Sequence, residues 1–97
     1  MKKLLSAALI LFLLLSTCAC FPVSEEASAE VHFIDVGQAD SILILSGDSA
    51  VLIDAGTNSA GEDVLKYIKE QGVSKIDYLI GTHPHEDHIG GLDTVIE

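Results

Sequence analysis

Arginine is absent from this chain, and only five lysines stand against fifteen acidic residues. Lys2 and Lys3, with Glu25 and Glu26, lie before residue 30. The remainder keeps three lysines (Lys66, Lys69, Lys75) and thirteen acids, and so carries the whole formal charge of −10. Such a surface repels nucleic acid and anionic membrane unless bound metal or another segment supplies the opposite sign. With no aromatic-basic patch either, a stand-alone DNA-binding part is disfavoured. Cysteine ends at Cys20, which excludes a structural disulfide from everything after it. Internal repeats are missing, and the only long apolar run is near the N-terminus.

That run, Leu4 to Leu15, follows two lysines and gives way to small and polar residues, the order of a secretory signal. It is short for a membrane span, although extension to Val23 reaches about 20 residues, so a retained N-terminal anchor is the competing reading. Residues 1–20 are read as an export signal, with a lipoprotein signal as a variant, and residues 21–30 as a small, polar, acidic linker. Two processing schemes remain open. Cleavage after Ala27-Ser28-Ala29 leaves Glu30 at the mature N-terminus, whereas Leu15-Ser16-Thr17-Cys18 resembles a bacterial lipoprotein box with Cys18, or Cys20, as the lipidated residue. Either places the protein outside a bacterial cell or on the outer face of its cytoplasmic membrane, touching membrane only through the signal or a lipid anchor.

From residue 31 the composition changes. Three short β-branched or aromatic runs, 31–36, 41–45 and 50–53, read as strands. The second is apolar on both alternating faces, which predicts a sheet covered on both sides. Ser46-Gly47-Asp48-Ser49 has hairpin chemistry. Ser59-Ala60-Gly61-Glu62 fits a capping box, ahead of a helix whose apolar stripe is Val64, Leu65 and Ile68 and whose stop is Gly72. Residues 76–80 read as a fourth strand, parallel to its neighbour by the strand-helix-strand order. Ile89, Leu92, Val95 and Ile96 mark a second helix. The class is α/β.

The fourth strand feeds Thr82-His83-Pro84-His85-Glu86-Asp87-His88-Ile89-Gly90-Gly91, which holds three of the four histidines in the chain. Imidazole and carboxylate together suit zinc, manganese or iron, and a site with fewer protein ligands than the metal accepts keeps a position open for water. Pro84 favours an extended backbone at His83, which sets His83 and His85 on one side. Asp87 and His88 follow where the chain turns into helix and point back toward a second cation. Gly90-Gly91 lets the backbone turn closely beneath. His32, alone on the first strand, reads as a packed or surface residue, and Glu86 has no assigned role.

Read as H-x-H-x-D-H, this stretch resembles the signature of the metallo-β-lactamase superfamily of binuclear hydrolases. Val51-Leu52-Ile53-Asp54-Ala55-Gly56 looks like the strand-end aspartate motif of that family. Phe33 to Ser41, with Asp35-Val36-Gly37-Gln38-Ala39-Asp40, resembles the branch related to the C-terminal domain of ComEC/Rec2 competence proteins. The resemblance spans residues 31–97 and implies the N-terminal portion of an αββα sandwich. It gives His83 and His85 to a first metal and Asp87 and His88 to a second, with Asp87 also orienting the attacking water. It sets Asp54 behind a ligating imidazole, and Asp35, Gln38 and Asp40 on a loop at the mouth of the site. The implied cofactors are two divalent ions, zinc first and manganese as the alternative. The implied reaction is hydrolysis by metal-activated water of a phosphodiester, in a small molecule or nucleic acid, rather than of a β-lactam. No protein partner is implied.

The family pattern also includes downstream ligands that do not occur here, so the expectation is an incomplete hydrolase domain, without catalysis on its own. The competing expectation, from another functional class, is a non-catalytic secreted or lipid-anchored metal-binding module.

Overall fold

In the computed structural model the described residues are 28–96. The export signal, most of the linker, and Cys18 and Cys20 lie outside them. Four strands, β1 (Ala29–Phe33), β2 (Ile42–Ser46), β3 (Ser49–Ile53) and β4 (Tyr78–Ile80), form one sheet in the order β1-β2-β3-β4. The first three pair antiparallel, and β4 joins β3 in parallel. A 3-10 turn at Asn58–Ala60 runs directly into α1 (Gly61–Glu70); α2 (Glu86–Ile89) and α3 (Leu92–Ile96) follow β4. Among the described residues no helix is long and apolar enough to cross a membrane.

The core lies between one sheet face and the helices. Leu43, Leu52 and Val64 are fully buried, and Ile34, Ala50, Ala55 and Ile68 complete the cluster. Burying each large aliphatic side chain contributes about 1.5–3 kcal/mol. Positions 61, 64 and 68 of α1 are buried while Glu62, Asp63, Lys66 and Lys69 are exposed, the one-sided pattern expected of a helix on a sheet. Helix α3 packs against α1.

The opposite sheet face has no cover among the described residues, as expected of a partial αββα sandwich, although the apolar pattern of β2 suits burial on both sides. Cross-strand register sets Val31, Ile44, Val51 and Tyr78 in one row and Phe33, Ile42, Ile53 and Ile80 in the next, with no charge in either. Phe33 is 79% exposed and Tyr78 68%. Strand patterning identifies a face suited to burial, but among the described residues nothing packs on it.

Three local expectations change. Strand β1 begins at Ala29, inside the segment read as linker, because backbone pairing of Ala29 with Ser46 extends the ladder beyond the apolar run. Only Tyr78–Ile80 of 76–80 is strand, since Asp77 instead uses its carboxylate to accept the Ala50 amide at 2.9 Å and the Lys75 ammonium at 2.9 Å. The capping box does not form. Helix α1 starts at Gly61 with Ala60 as its N-cap, and neither Ala60 nor Thr57, which caps the 3-10 turn, makes a side-chain cap bond. The intervening 3-10 turn puts Ser59 inside the first helical turn, where its hydroxyl meets that of Thr57 at 3.0 Å.

Asp77 supplies a test of the β3–β4 junction. The Ala50 amide, then Lys75, holds its carboxyl below the usual value of 3.8. A depressed folded-state pKa gives stability that is present above the unfolded pKa and is lost as pH falls through the folded one. Wild-type urea midpoints should therefore drop between about pH 5 and pH 3 more than those of Asp77→Asn, the two curves converging at the acid end. Parallel curves across that window would remove this role.

Candidate metal-ligand site

Directly after strand β3 comes Asp54, which is 3% exposed and sits in the left-handed region at φ 57°. That conformation is uncommon outside glycine and is best tolerated by Asp and Asn. Surrounding bonds hold it there. Its amide donates to the Ile80 carbonyl at 2.8 Å, and its carbonyl accepts the hydroxyl of buried Ser41 at 3.1 Å. The carboxylate thereby faces the loop that leaves β4.

Three donors meet it from that loop. The Thr82 amide reaches Oδ1 at 2.8 Å, and the Thr82 hydroxyl and His88 Nδ1 reach Oδ2 at 2.7 and 2.9 Å. Burial alone would raise the Asp54 pKa, but the Thr82 hydroxyl and amide, followed by His88, outweigh it and hold the group below its usual range. The same bond to Asp54 raises the pKa of His88 against a smaller desolvation effect, with Asp87 and Asp40 adding in the same direction.

Because a carboxylate only accepts, His88 Nδ1 must be its protonated nitrogen, and in the neutral ring Nε2 keeps the lone pair. His83 follows by one more link. The Thr82 hydroxyl, whose hydrogen is directed at Asp54, accepts a hydrogen bond from His83 Nδ1 at 3.0 Å, so Nε2 of that ring is free as well.

The imidazoles of His83, His85 and His88 lie together, with centroids of His83 4.6 Å from His85 and 4.0 Å from His88. The His85 amide bonds back to the His83 carbonyl at 2.9 Å, a three-residue turn centred on Pro84. The two rings thus meet through a tight turn rather than the extended backbone expected; the φ fixed by proline suits it. The Asp87 carboxylate lies 3.6 Å from His88 Nε2. The His83 ring meets His85 edge-on, at 70°, and His88 at a tilt of 50°, and among the described residues no three His, Cys, Asp or Glu side chains are gathered into a metal cage.

The mouth loop divides. Asp40 comes within 3.5 Å of His88 Nδ1, and its backbone ties two loops, donating to the Asp87 carbonyl at 3.1 Å and accepting from Gly56 at 2.9 Å. Asp35 accepts the Gly37 amide at 3.2 Å, an ordinary turn bond, and Gln38 is exposed. His32 is away from this cluster, with Nδ1 2.9 Å from the Tyr67 hydroxyl. Sequence reasoning misses Thr82, Ser41 and Glu86. Thr82 adjoins the motif and is within reach of a closer reading; the partners of the other two are backbone groups far along the chain.

A histidine-rich loop at the C-terminal end of a parallel strand, tied to the acidic end of the neighbouring strand, fits the half-sandwich around it. The chain belongs to the metallo-beta-lactamase superfamily, whose model matches residues 34–97. Within it, the chain is 40% identical over 60 residues to "Probable metallo-hydrolase YqgX" of Bacillus subtilis, covering 62% of this chain and 27% of that protein. The branch shows in two further relatives. "Recombination protein 2" of Haemophilus influenzae is 28% identical over 92 residues, covering 90% of this chain and 12% of that one. "ComE operon protein 3" of Bacillus subtilis is 32% identical over 89 residues, covering 73% and 12%. The chain thus spans roughly a quarter or less of the length of these relatives. No solved structure matches it.

Proposed function

We propose that this chain carries the first ligand loop of an exported, metal-dependent hydrolase that acts on phosphodiester or related bonds. The observation that supports this best is the double reach of Asp54, which bonds His88 directly and His83 through Thr82 and leaves Nε2 of both rings free. Histidines that bind metal characteristically give their other nitrogen to such a partner, which fixes the tautomer and raises ligand basicity.

The donor set of three imidazoles and one carboxylate suits zinc, with manganese as the alternative. His83 and His85 would hold one divalent ion, and Asp87 and His88 a second. Ions bound there supply Lewis acidity and a water acidic enough to ionise near neutral pH. Asp87, with its side chain 47% exposed, would orient that water, and Asp40 would help to hold the His88 ring. Asp35 and Gln38 would line the mouth. Relatives named for recombination and for a competence operon favour a nucleic-acid phosphodiester. On a surface without arginine, the metal itself would provide the positive charge for such a substrate. The lysine-led apolar run supports export, to the outside of the cell or the outer face of its membrane.

Cobalt(II) titration of the full chain tests the site. Ligand-field bands should appear and vanish on chelation, and His83→Ala and His88→Ala should each weaken binding by more than about tenfold. Unaltered spectra in both variants would overturn the metal assignment. A parallel assay with bis-p-nitrophenyl phosphate should show no turnover by this chain alone; turnover that is lost on chelation would overturn both that expectation and the reading as a non-catalytic module.

A further inference from the structure

The approach to α1 has an amide that its own segment leaves uncapped. Thr57 and Ala60 make no side-chain cap bond, and the first amide of the 3-10 turn, Asn58 N–H, is instead bonded by Glu86 Oε1 at 2.7 Å, from 28 residues further along the chain. Glu86 opens α2 and immediately precedes Asp87 and His88. We infer that Glu86 is a positioning residue, a cap supplied from a distant segment that fixes Asp87 and His88 against the loop after β3. The inference rests on the proposed metal site, whose ligands it would set.

Two features, four residues apart on one turn, converge on this contact. Glu86 provides the acceptor, and Gly90 provides the room. A Cβ at Gly90 would lie 2.4 Å from Asn58 N and 2.8 Å from the Thr57 carbonyl carbon. Removing the side chain at one position and placing a carboxylate at the other bring the two loops together. The carboxylate accepts the Asn58 amide in a charge-assisted bond, so Glu and Gln differ at this contact in charge rather than in reach. Backbone bonds from Ala55 N to His88 O at 2.8 Å and from Asp40 N to Asp87 O at 3.1 Å hold the far side of the same turn. Glu86 is the side-chain component of that clamp, and it acts where water competes for the bond. Its effect should therefore appear in ligand placement more than in global stability.

The test compares Glu86→Ala and Glu86→Gln in the full chain, with cobalt(II) as the metal probe and NMR as a metal-free readout. Glu86→Ala should weaken cobalt(II) binding about tenfold, alter its ligand-field bands and speed hydrogen exchange at Asn58, while Glu86→Gln, which keeps the acceptor, should restore affinity to within about threefold of wild type. Unchanged affinity and bands in Glu86→Ala, alongside faster Asn58 exchange, would make the contact purely structural and overturn the inference. Should wild type take no cobalt(II) through its imidazoles, the metal reading itself fails. The positioning role is then judged on the His88 ring: loss of its bond to Asp54 in Glu86→Ala, with recovery in Glu86→Gln, upholds it, and an unchanged bond overturns it.

Discussion

Asp54→Asn is expected to leave the chain folded, move the proton on His88 from Nδ1 to Nε2 and weaken divalent-metal binding about 10- to 100-fold. The reasoning turns on what each atom can accept. Asp54 takes three donors with two oxygens, two of them on Oδ2. An asparagine keeps one oxygen for the Thr82 amide and sets an NH2 against the Thr82 hydroxyl and His88 Nδ1. The hydroxyl can reverse its direction, and the imidazole can change tautomer. That change puts a proton on the nitrogen proposed to face the metal, and Asn tolerates the φ of 57° nearly as well as Asp, so the backbone is not a confounding cause. Asp54→Ala makes the contrast. It leaves a buried site without an acceptor for three donors and puts an ordinary side chain in the left-handed region. It should cost about 3 kcal/mol in urea unfolding. Long-range proton–nitrogen NMR of His88, read with cobalt(II) titration, separates the two effects. An unchanged His88 tautomer and undiminished affinity in Asp54→Asn would show that Asp54 does not govern the ring.

The second large effect is expected at Gly91. Added there, a Cβ would stand 2.3 Å from the Ala55 carbonyl oxygen and 2.8 Å from Gly61 Cα, both backbone atoms. Three segments cross at this point: the exit of β3, the start of α1 and the approach to α3. The Gly91 amide also bonds the Gly56 carbonyl at 3.2 Å, so the chain cannot move away without losing that bond. Overpacking of this kind costs about 1–3 kcal/mol and more when only backbone is available to yield; about 3 kcal/mol is expected of Gly91→Ala in urea unfolding. Gly47→Ala is the matched control. Gly47 sits in the hairpin turn at φ 56° with nothing within 4 Å of an added Cβ, so only the backbone angle is penalised, by about 1–2 kcal/mol. A Gly91→Ala variant as stable as the Gly47→Ala control would remove the crossing as the reason for that glycine.

Legibility from sequence follows distance along the chain. The histidine-rich stretch is readable because its four candidate donors fall within six consecutive positions, and the α1 stripe because Val64 and Ile68 repeat with the helical period. The β2–β3 hairpin is equally local, set by Ser46-Gly47-Asp48-Ser49. The capping box fails for the converse reason: its pattern describes four neighbours, whereas the side-chain acceptor nearby comes from Glu86 and serves the 3-10 turn ahead of α1, leaving the α1 N-cap Ala60 without a side-chain bond. The start of β1 escapes because pairing of Ala29 with Ser46 depends on backbone groups that side-chain patterns do not report. Apolar patterning on β2 identifies both sheet faces as suitable for burial, but it carries no information about what lies opposite. The turn at Pro84 is easily misjudged because a three-residue bond and an extended strand make similar demands on proline.

Strand order has a kinetic consequence. Strands β1, β2 and β3 form a meander of neighbours, with a two-residue turn between the last two, so their closure entropy is small and they are suited to collapse first. Strand β4 must return across residues 54–77 before it can pair, and Asp54 meets Thr82 and His88 across 28 and 34 residues. The histidine-rich loop is therefore expected to assemble last and to open first. Its occupancy should act as a latch on the C-terminal half, slowing exchange of the Thr82 and Asn58 amides while leaving the meander nearly untouched.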